Sequence, residues 1–248
     1  MVYVNLASLY DQLMDETDYN DWIDFTEKHL KSMAFSPQHI VDLGCGTAEL
    51  TIQLAKRGYS LSGVDIASDM LSQAQQKAIE NNVNILWVNQ DIRELTGFSE
   101  TDVFISYFDV LNYITSKNDL TNIFSRIYDC LKDGGLFLFD IHSESYVNNH
   151  LLNKTFTEVT DRVAYIWDCI QGEERGEMFH EMTFFSLIEN GTFERFDETH
   201  HQQVYEPELY AELLSAAQFK NVTFEKKIIK NKETDEIMSE KVFFVAEK

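Results

Sequence analysis

The apolar positions of this chain change rhythm partway along. Short apolar and β-branched runs, at residues 38–43, 59–64, 84–88, 102–107 and 135–141, alternate with stretches at 48–55, 67–81 and 119–131 in which apolar residues recur every three or four positions. The first kind reads as buried strands and the second as amphipathic helices. Strands linked by helices in this order build a mostly parallel sheet with helices on both faces, an α/β doubly wound architecture. Two helical segments precede it, at 6–14 and 19–33. In the second, Trp22, Ile23, Phe25, Thr26, His29 and Leu30 carry the helical spacing. The pair is expected at the sheet edge, with Pro37 marking the loop that follows.

After Ile141 the pattern becomes strand upon strand. Residues 156–169, 178–188 and 193–205 are rich in aromatic and β-branched side chains, with a turn near 171–176 and an Asn190-Gly191 hairpin signal. Helical spacing returns at 208–217, opened by Pro207, and strands follow at 221–229 and 241–247. The main domain therefore comprises residues 1–142 and 206–248, and residues 143–205 form an antiparallel β insertion. The insertion is expected to cap a substrate over the strand ends; a dimer interface or an edge cover are the alternatives.

In such sheets ligands lie beyond the carboxyl ends of the strands. That rule selects Asp42 with Gly44, Cys45 and Gly46, then Asp65 and Ile66, Asp91 and Ile92, Tyr107 and Asp109, and Asp140 with His142. In the stretch from Ile40 to Leu50, IVDLGCGTAEL, a strand breaks into glycines before a helix, which brings backbone close to a ligand. Each of the five strand ends carries a carboxylate, more than a solvated loop composition explains. Tyr10, Tyr19 and Trp22 are candidates for an aromatic lid.

Composition narrows the function. A length of 248 residues, 44% of them apolar, suits one α/β domain with an elaboration. With 42 acidic against 20 basic residues the formal charge is −22, which argues against nucleic acid as a partner. Cys45, Cys130 and Cys169 are scattered, without CxxC spacing, and read as small buried side chains in a reducing cytoplasm. No apolar run approaches a membrane span, and the first residues lack the basic and apolar character of a signal peptide. The protein is expected in the cytoplasm, as a monomer or homodimer. His200 and His201 are adjacent and project oppositely on a strand, so they do not chelate one metal, and no metal site is expected. A GxSxG nucleophile elbow is absent.

Four motifs in order, IVDLGCGTAEL, GVDIASDML from Gly63, NQDIREL from Asn89 and DGGLFLFDIH from Asp133, together resemble the class I S-adenosylmethionine-dependent methyltransferases, as does the opening YVNLASLYDQLM of small bacterial members. The resemblance implies a seven-stranded Rossmann-like sheet and S-adenosylmethionine as cofactor. It implies that Gly44 and Gly46 let backbone meet the methionine part and that Asp65 accepts the ribose hydroxyls. Ile66 and Met70 would pack on the adenine, Asp91 would take its amino group with Ile92 alongside, and Tyr10, Tyr19 and Trp22 would lie near the methionine tail. The family's third loop glycine is Ala48 here, whose methyl is expected to narrow the cavity without blocking it.

The residues support this independently. A carboxylate accepts two hydrogen bonds from a vicinal diol, and such charge-assisted bonds are strong. A nicotinamide dinucleotide fingerprint needs glycine where Glu49 stands, and a carboxylate there repels a pyrophosphate. The loop after the fourth strand, from Asp109 to Tyr113, lacks the NPPY motif of amino-group methylases. The expected activity is methyl transfer to a small molecule or a protein side chain; a non-catalytic S-adenosylmethionine-binding module and a nicotinamide oxidoreductase are the alternatives. Candidates for a general base are Tyr113, His142 and His201, with His142 preferred because an unperturbed histidine titrates near neutral pH.

Overall fold

The computed structural model describes residues 18–188, 191–230, 234–235 and 237–248; the helix expected at 6–14, and Tyr10 within it, lie outside them. Helix α1 spans Asn20–Leu30. Then β1 (His39–Leu43), α2 (Glu49–Lys56), β2 (Ser60–Asp65), α3 (Ser68–Glu80), β3 (Ile85–Asn89), β4 (Thr101–Ser106), α4 (Lys117–Cys130) and β5 (Leu131–His142) alternate as expected. Beyond the insertion come α5 (Pro207–Ala216), β10 (Lys220–Lys230) and β11 (Ile237–Glu247).

The main sheet has the order β10-β11-β5-β4-β1-β2-β3. Strands β1 to β5 are parallel, and β11 runs antiparallel to both β5 and β10. The chain order reverses at β1, which pairs with β2 on one side and β4 on the other. A crevice opens beyond the carboxyl ends of strands at such a reversal.

Strand residues alternate between two cores, as period-two geometry demands. Val41, Leu43, Phe104, Phe137, Phe139 and Phe244 face α4 and α5. Ile40, Val103, Ile105, Leu138 and Phe243 face α1, α2 and α3. Helix α1 is held to the second face by Trp22 and Phe25, which pack on Phe243. Its Thr26 hydroxyl donates to the Trp22 carbonyl and so accepts the Tyr107 hydroxyl at 2.8 Å.

The insertion is antiparallel as expected, in a four-stranded sheet of order β6-β7-β8-β9. The single strand expected over 156–169 is instead a hairpin, β6 (Lys154–Val159) and β7 (Val163–Gln171). Its turn is made by Thr160, whose hydroxyl accepts the Val163 N–H at 3.0 Å while its own N–H bonds the Val163 carbonyl at 2.8 Å. Thr-centred turns of this kind compete with strand pairing. Strands β8 (Glu177–Leu187) and β9 (Phe193–Gln203) pair antiparallel; Asn190 of the expected turn lies outside the described residues. A helical stretch not expected from the sequence, Glu144–Tyr146 continuing through Val147–Leu151, joins β5 to β6. Its Val147 and Leu151 share a small core with Cys169, Met178 and Val204.

At the amino end of the sheet, opposite the crevice, Asp102 accepts the Gln38 and His39 N–H groups at 2.7 and 2.8 Å and pairs with Lys132. Burial pushes its carboxyl up, but Lys132 and the two N–H bonds outweigh that and hold it below the usual carboxylate range. A folded-state pKa below the unfolded one contributes stability above about pH 4 that is lost at lower pH. Asp102→Ala is expected to cost about 2–4 kcal/mol at pH 7, measured by urea unfolding. The gap to the parent should narrow at pH 3, and a gap that stays the same there contradicts the assignment.

Candidate active site

The loop between β1 and α2 begins with backbone that only glycine enters freely. Gly44 and Gly46 have φ of 75° and 54°, in the left-handed region. The Gly44 and Cys45 N–H groups both bond the Val64 carbonyl at the end of β2, at 2.8 and 3.1 Å. A Cβ on Gly44 would lie 2.5 Å from Val110, whereas one on Gly46 would meet nothing within 4 Å. Ala48 is also left-handed, at φ 68° and ψ 29°. Its methyl is buried, so what it costs is mainly backbone strain, about 1–2 kcal/mol relative to an unstrained site.

These residues border a cavity of about 270 Å³, at the lower end of small-molecule sites. Asp42, Gly44, Cys45 and Gly46 line it together with Asp65, Ile66 and Met70. Asp91, Ile92, Tyr19, Tyr107 and Tyr113 line it as well. Thr47, Gln90, Arg93, Phe108, Val110 and Ile114 also line it. None of these last residues is a site candidate from the sequence, although Thr47, Gln90 and Arg93 lie within the motifs; each sits within two residues of a candidate.

The carboxylates are not equivalent. Asp42 is buried and accepts the Thr51 hydroxyl at 2.6 Å. Burial pushes its carboxyl up to about 7 against the pull of that bond. Asp65 receives the Gly46 N–H on one oxygen and the Ala67 N–H on the other, both at 2.8 Å. It therefore braces the glycine loop and the turn into α3 at once, and keeps a lone pair on each oxygen for a ligand. Burial raises its pKa too, with the Ala67 and Gly46 bonds opposing. Asp91 differs from the open carboxylate expected: the Arg93 guanidinium engages both its oxygens and holds its pKa down. Ile66 is 57% exposed, an aliphatic surface on the cavity rim suited to a flat ring. Glu49 pairs with Lys77 at 2.6 Å, so its charge repels a pyrophosphate less than the sequence alone implies.

Trp22, Asp109 and His142 do not line the cavity; they belong to a buried cluster behind it. The Trp22 indole N–H and the Phe108 N–H both donate to one oxygen of Asp140, at 3.1 and 2.7 Å. Lys241, buried on β11, pairs with Asp109 and lies 3.8 Å from the other Asp140 oxygen. Asp109 also holds His142 Nε2 at 3.1 Å, and Lys241 approaches His142 Nδ1 at 3.5 Å. Burial drives His142 down to about 3, Asp109 opposing and Lys241 and His180 adding to the fall. The premise that His142 titrates near neutral pH is thereby overturned, and with it the reason for preferring it as a base.

The two adjacent histidines of β9 do point oppositely. His201 stacks on Phe179 at 4.3 Å and bonds Glu177 at 2.8 Å, without lining the cavity; it does not reach down to the site as expected. His200 is the inward one: it is buried, with Nδ1 3.0 Å from the Tyr113 hydroxyl and Nε2 3.1 Å from Glu198. The pattern Glu198, His200, Gln202 at every second position was the available signal for that face. Among the described residues no group of three His, Cys, Asp or Glu side chains is placed to hold a metal.

The contact between Gly44 and Val110 gives a test of the loop. Gly44→Ala combines left-handed strain of about 1–2 kcal/mol with overpacking of about 1–3 kcal/mol. Val110→Ala removes the overpacking, so the double variant should cost about 1 kcal/mol less than the sum of the single ones, measured by denaturant unfolding. Simple additivity contradicts the contact.

A family model described as a methyltransferase domain matches residues 40–135. A protein of Geobacillus sp. (strain WCH70) that carries a provisional methyltransferase name is 39% identical to this chain, the match covering 100% of both. Bacillus subtilis YqeM, with the same provisional name, is 36% identical over 100% of this chain and 98% of its own. The crystal structure of an S-adenosylmethionine-dependent methyltransferase from Clostridium acetobutylicum is similar with a TM-score of 0.81 and 28% identity, covering 99% of this chain and 98% of that one. The chain belongs to the class I S-adenosylmethionine-dependent methyltransferases, and its methyl donor is S-adenosylmethionine.

Proposed function

We propose that the glycine-loop cavity holds S-adenosylmethionine and that the methyl acceptor is a small molecule bound between this cavity and the inner face of the antiparallel sheet, with residues 143–205 as the cap. The cavity residues fit the cofactor. Asp65 keeps acceptor capacity on both oxygens for a ribose diol, and Ile66 and Met70 offer apolar surface to an adenine. A side chain at Gly46 would occupy open space on the cavity wall. Asp42, with the loop around it, gives the cavity negative character suited to a cation. Arg93 leaves Asp91 a weaker partner for an amino group than the family pattern implies. When bound, S-adenosylmethionine supplies a methyl group on a positively charged sulfur.

The observation that carries the acceptor reading is Tyr113, which lines the cavity while its hydroxyl reaches His200 of the insertion. The insertion is moored beside it. Asn112 donates to the Gln203 carbonyl at 3.1 Å and accepts the His142 N–H at 3.0 Å, and the Tyr205 hydroxyl donates to the Thr115 carbonyl at 2.6 Å. Because the insertion has a small core of its own, it can close over a site without being part of the main sheet. The concave site favours a small molecule, and the charge of −22 favours a neutral or cationic one.

Replacing residues 154–203 by a short flexible loop should leave cofactor binding intact and abolish transfer of labelled methyl to a small-molecule extract. Loss of cofactor binding in a folded deletion variant would place the insertion in the cofactor site instead.

A second outcome follows from Asp42. A bound cation favours its ionised form, so binding expels the Asp42 proton below about pH 7. S-adenosylmethionine should therefore bind more tightly as pH rises toward 7 and then level off, by up to roughly tenfold for each unit by which the cation lowers the Asp42 pKa. Calorimetry with S-adenosylhomocysteine, which lacks the sulfonium, should show a flatter profile, and Asp42→Asn should flatten that of S-adenosylmethionine. Equal slopes for the two ligands would remove Asp42 from this role.

A further inference from the structure

The inner face of the antiparallel sheet carries more buried polar chemistry than a cover needs. Glu198, His200 and Gln202 alternate on β9, each under a tenth exposed, and His180 stands opposite His200 on β8. Burying a carboxylate and imidazoles costs free energy unless their hydrogen bonds are made, and here the bonds run in a definite direction. The Trp167 indole N–H donates to His180 Nδ1 at 2.9 Å, so the His180 hydrogen sits on Nε2, where Gln202 accepts it at 3.1 Å. That histidine ends its chain inside the insertion.

His200 does not. Glu198 can only accept when ionised, so the His200 hydrogen facing it is on Nε2 and Nδ1 is left as an acceptor. Nδ1 takes the Tyr113 hydroxyl hydrogen at 3.0 Å. Tyr113 is 36% exposed and lines the cavity. A buried carboxylate, an imidazole and a phenol are thus joined in a line that ends at a residue lining the cavity. His142, the other histidine near the strand ends, is held by Asp109 and Lys241 behind the cavity and has no such line.

We propose that Tyr113 is the group that takes the proton from the methyl acceptor, with His200 and Glu198 as its positioning pair, and that the acceptor atom belongs to a hydroxyl, a phenol or a neutral amine that carries a hydrogen. This rests on the acceptor lying between the cavity and the sheet, as above. The acceptor atom bonds the methyl carbon as the carbon–sulfur bond breaks, its electron pair going to sulfur, and the acceptor's own proton passes to the Tyr113 oxygen. The Tyr113 hydroxyl hydrogen moves to His200 Nδ1. The positive charge lost from sulfur is then carried by the His200 imidazolium, 3.1 Å from the Glu198 carboxylate. An acceptor with no hydrogen to lose, such as a thioether or a tertiary amine, has no use for this line. Among the described residues the groups facing His200 include Glu198 on its own strand, His180 across on β8 and Tyr113 from the turn after β4, and His180 in turn feels Asp109 and His142.

Two measurements test it. Nitrogen-15 NMR of the histidines in cofactor-free protein should show His200 with its hydrogen on Nε2, facing Glu198. A hydrogen on Nδ1 overturns the relay. Tyr113→Phe should bind S-adenosylmethionine within about threefold of the parent yet transfer labelled methyl to a small-molecule extract at least 10²-fold more slowly, and Glu198→Gln, which keeps the shape but not the charge, should shift the pH–rate curve of transfer. Transfer by Tyr113→Phe within about threefold of the parent overturns the proposal. A parent that binds the cofactor but labels only protein fractions contradicts the small-molecule reading instead, and the NMR measurement still decides the relay.

Discussion

A single buried carboxylate, Asp140 near the end of β5, organises the active-site side of this protein. One of its oxygens collects the Trp22 indole N–H from α1 and the Phe108 N–H from the segment after β4, and Lys241 of β11 stands near the other. Taking a carboxylate out of water costs several kcal/mol, and only such a set of donors and a nearby cation offsets it. Burial accordingly raises the Asp140 pKa, with Lys241 opposing. The bond to Phe108 secures a segment in which Phe108 and Asp109 both take left-handed backbone, at φ 61° and 63°. That reversal brings Val110 against Gly44 and sends the short helical turn Val110–Tyr113 across the cavity.

The electrostatics of the site follow from that arrangement. Lys241 offsets Asp109 and Asp140 behind the cavity, and its charge, added to burial, keeps His142 neutral. In front, Asp42 and Asp65 face the cavity without a basic partner of that kind, one bonded to a hydroxyl and the other to backbone N–H groups. Negative character is thus concentrated at the cavity, which suits the sulfonium cofactor proposed to bind there. The same low-dielectric surroundings that raise these pKa values also strengthen the attraction of a bound cation for them.

The antiparallel sheet adds a different surface. Its core is small and separate from the two that flank the main sheet, and its inward polar residues are linked by hydrogen bonds into short chains. Tyr113 joins the two parts, because its ring lies on the cavity wall and its hydroxyl on the insertion. In the proposed reading the work is divided, the main sheet holding the cofactor and the attached sheet meeting whatever is methylated.

The sequence by itself determined the strand and helix order, the glycine loop, the acidic strand ends and the antiparallel character of the insertion. These features are local: apolar periodicity reports burial within one element, and glycine reports backbone that other residues resist. Asp42, Gly44, Gly46 and Asp65 could be placed at the cavity because parallel topology alone brings strand ends together, whereas Met70, on a helix, was implied only by the family resemblance. Only the tertiary structure decided the partners. Asp91 is engaged by Arg93, two residues on, and nothing in NQDIREL distinguishes that from an open carboxylate. His142 follows directly on a strand that ends near the site, yet burial, to which the charge of Lys241 from a distant strand adds, lowers its pKa. Of the two β9 histidines, alternation says only that they diverge; which one faces Tyr113 depends on how the insertion is docked, a long-range packing outcome that no local pattern encodes.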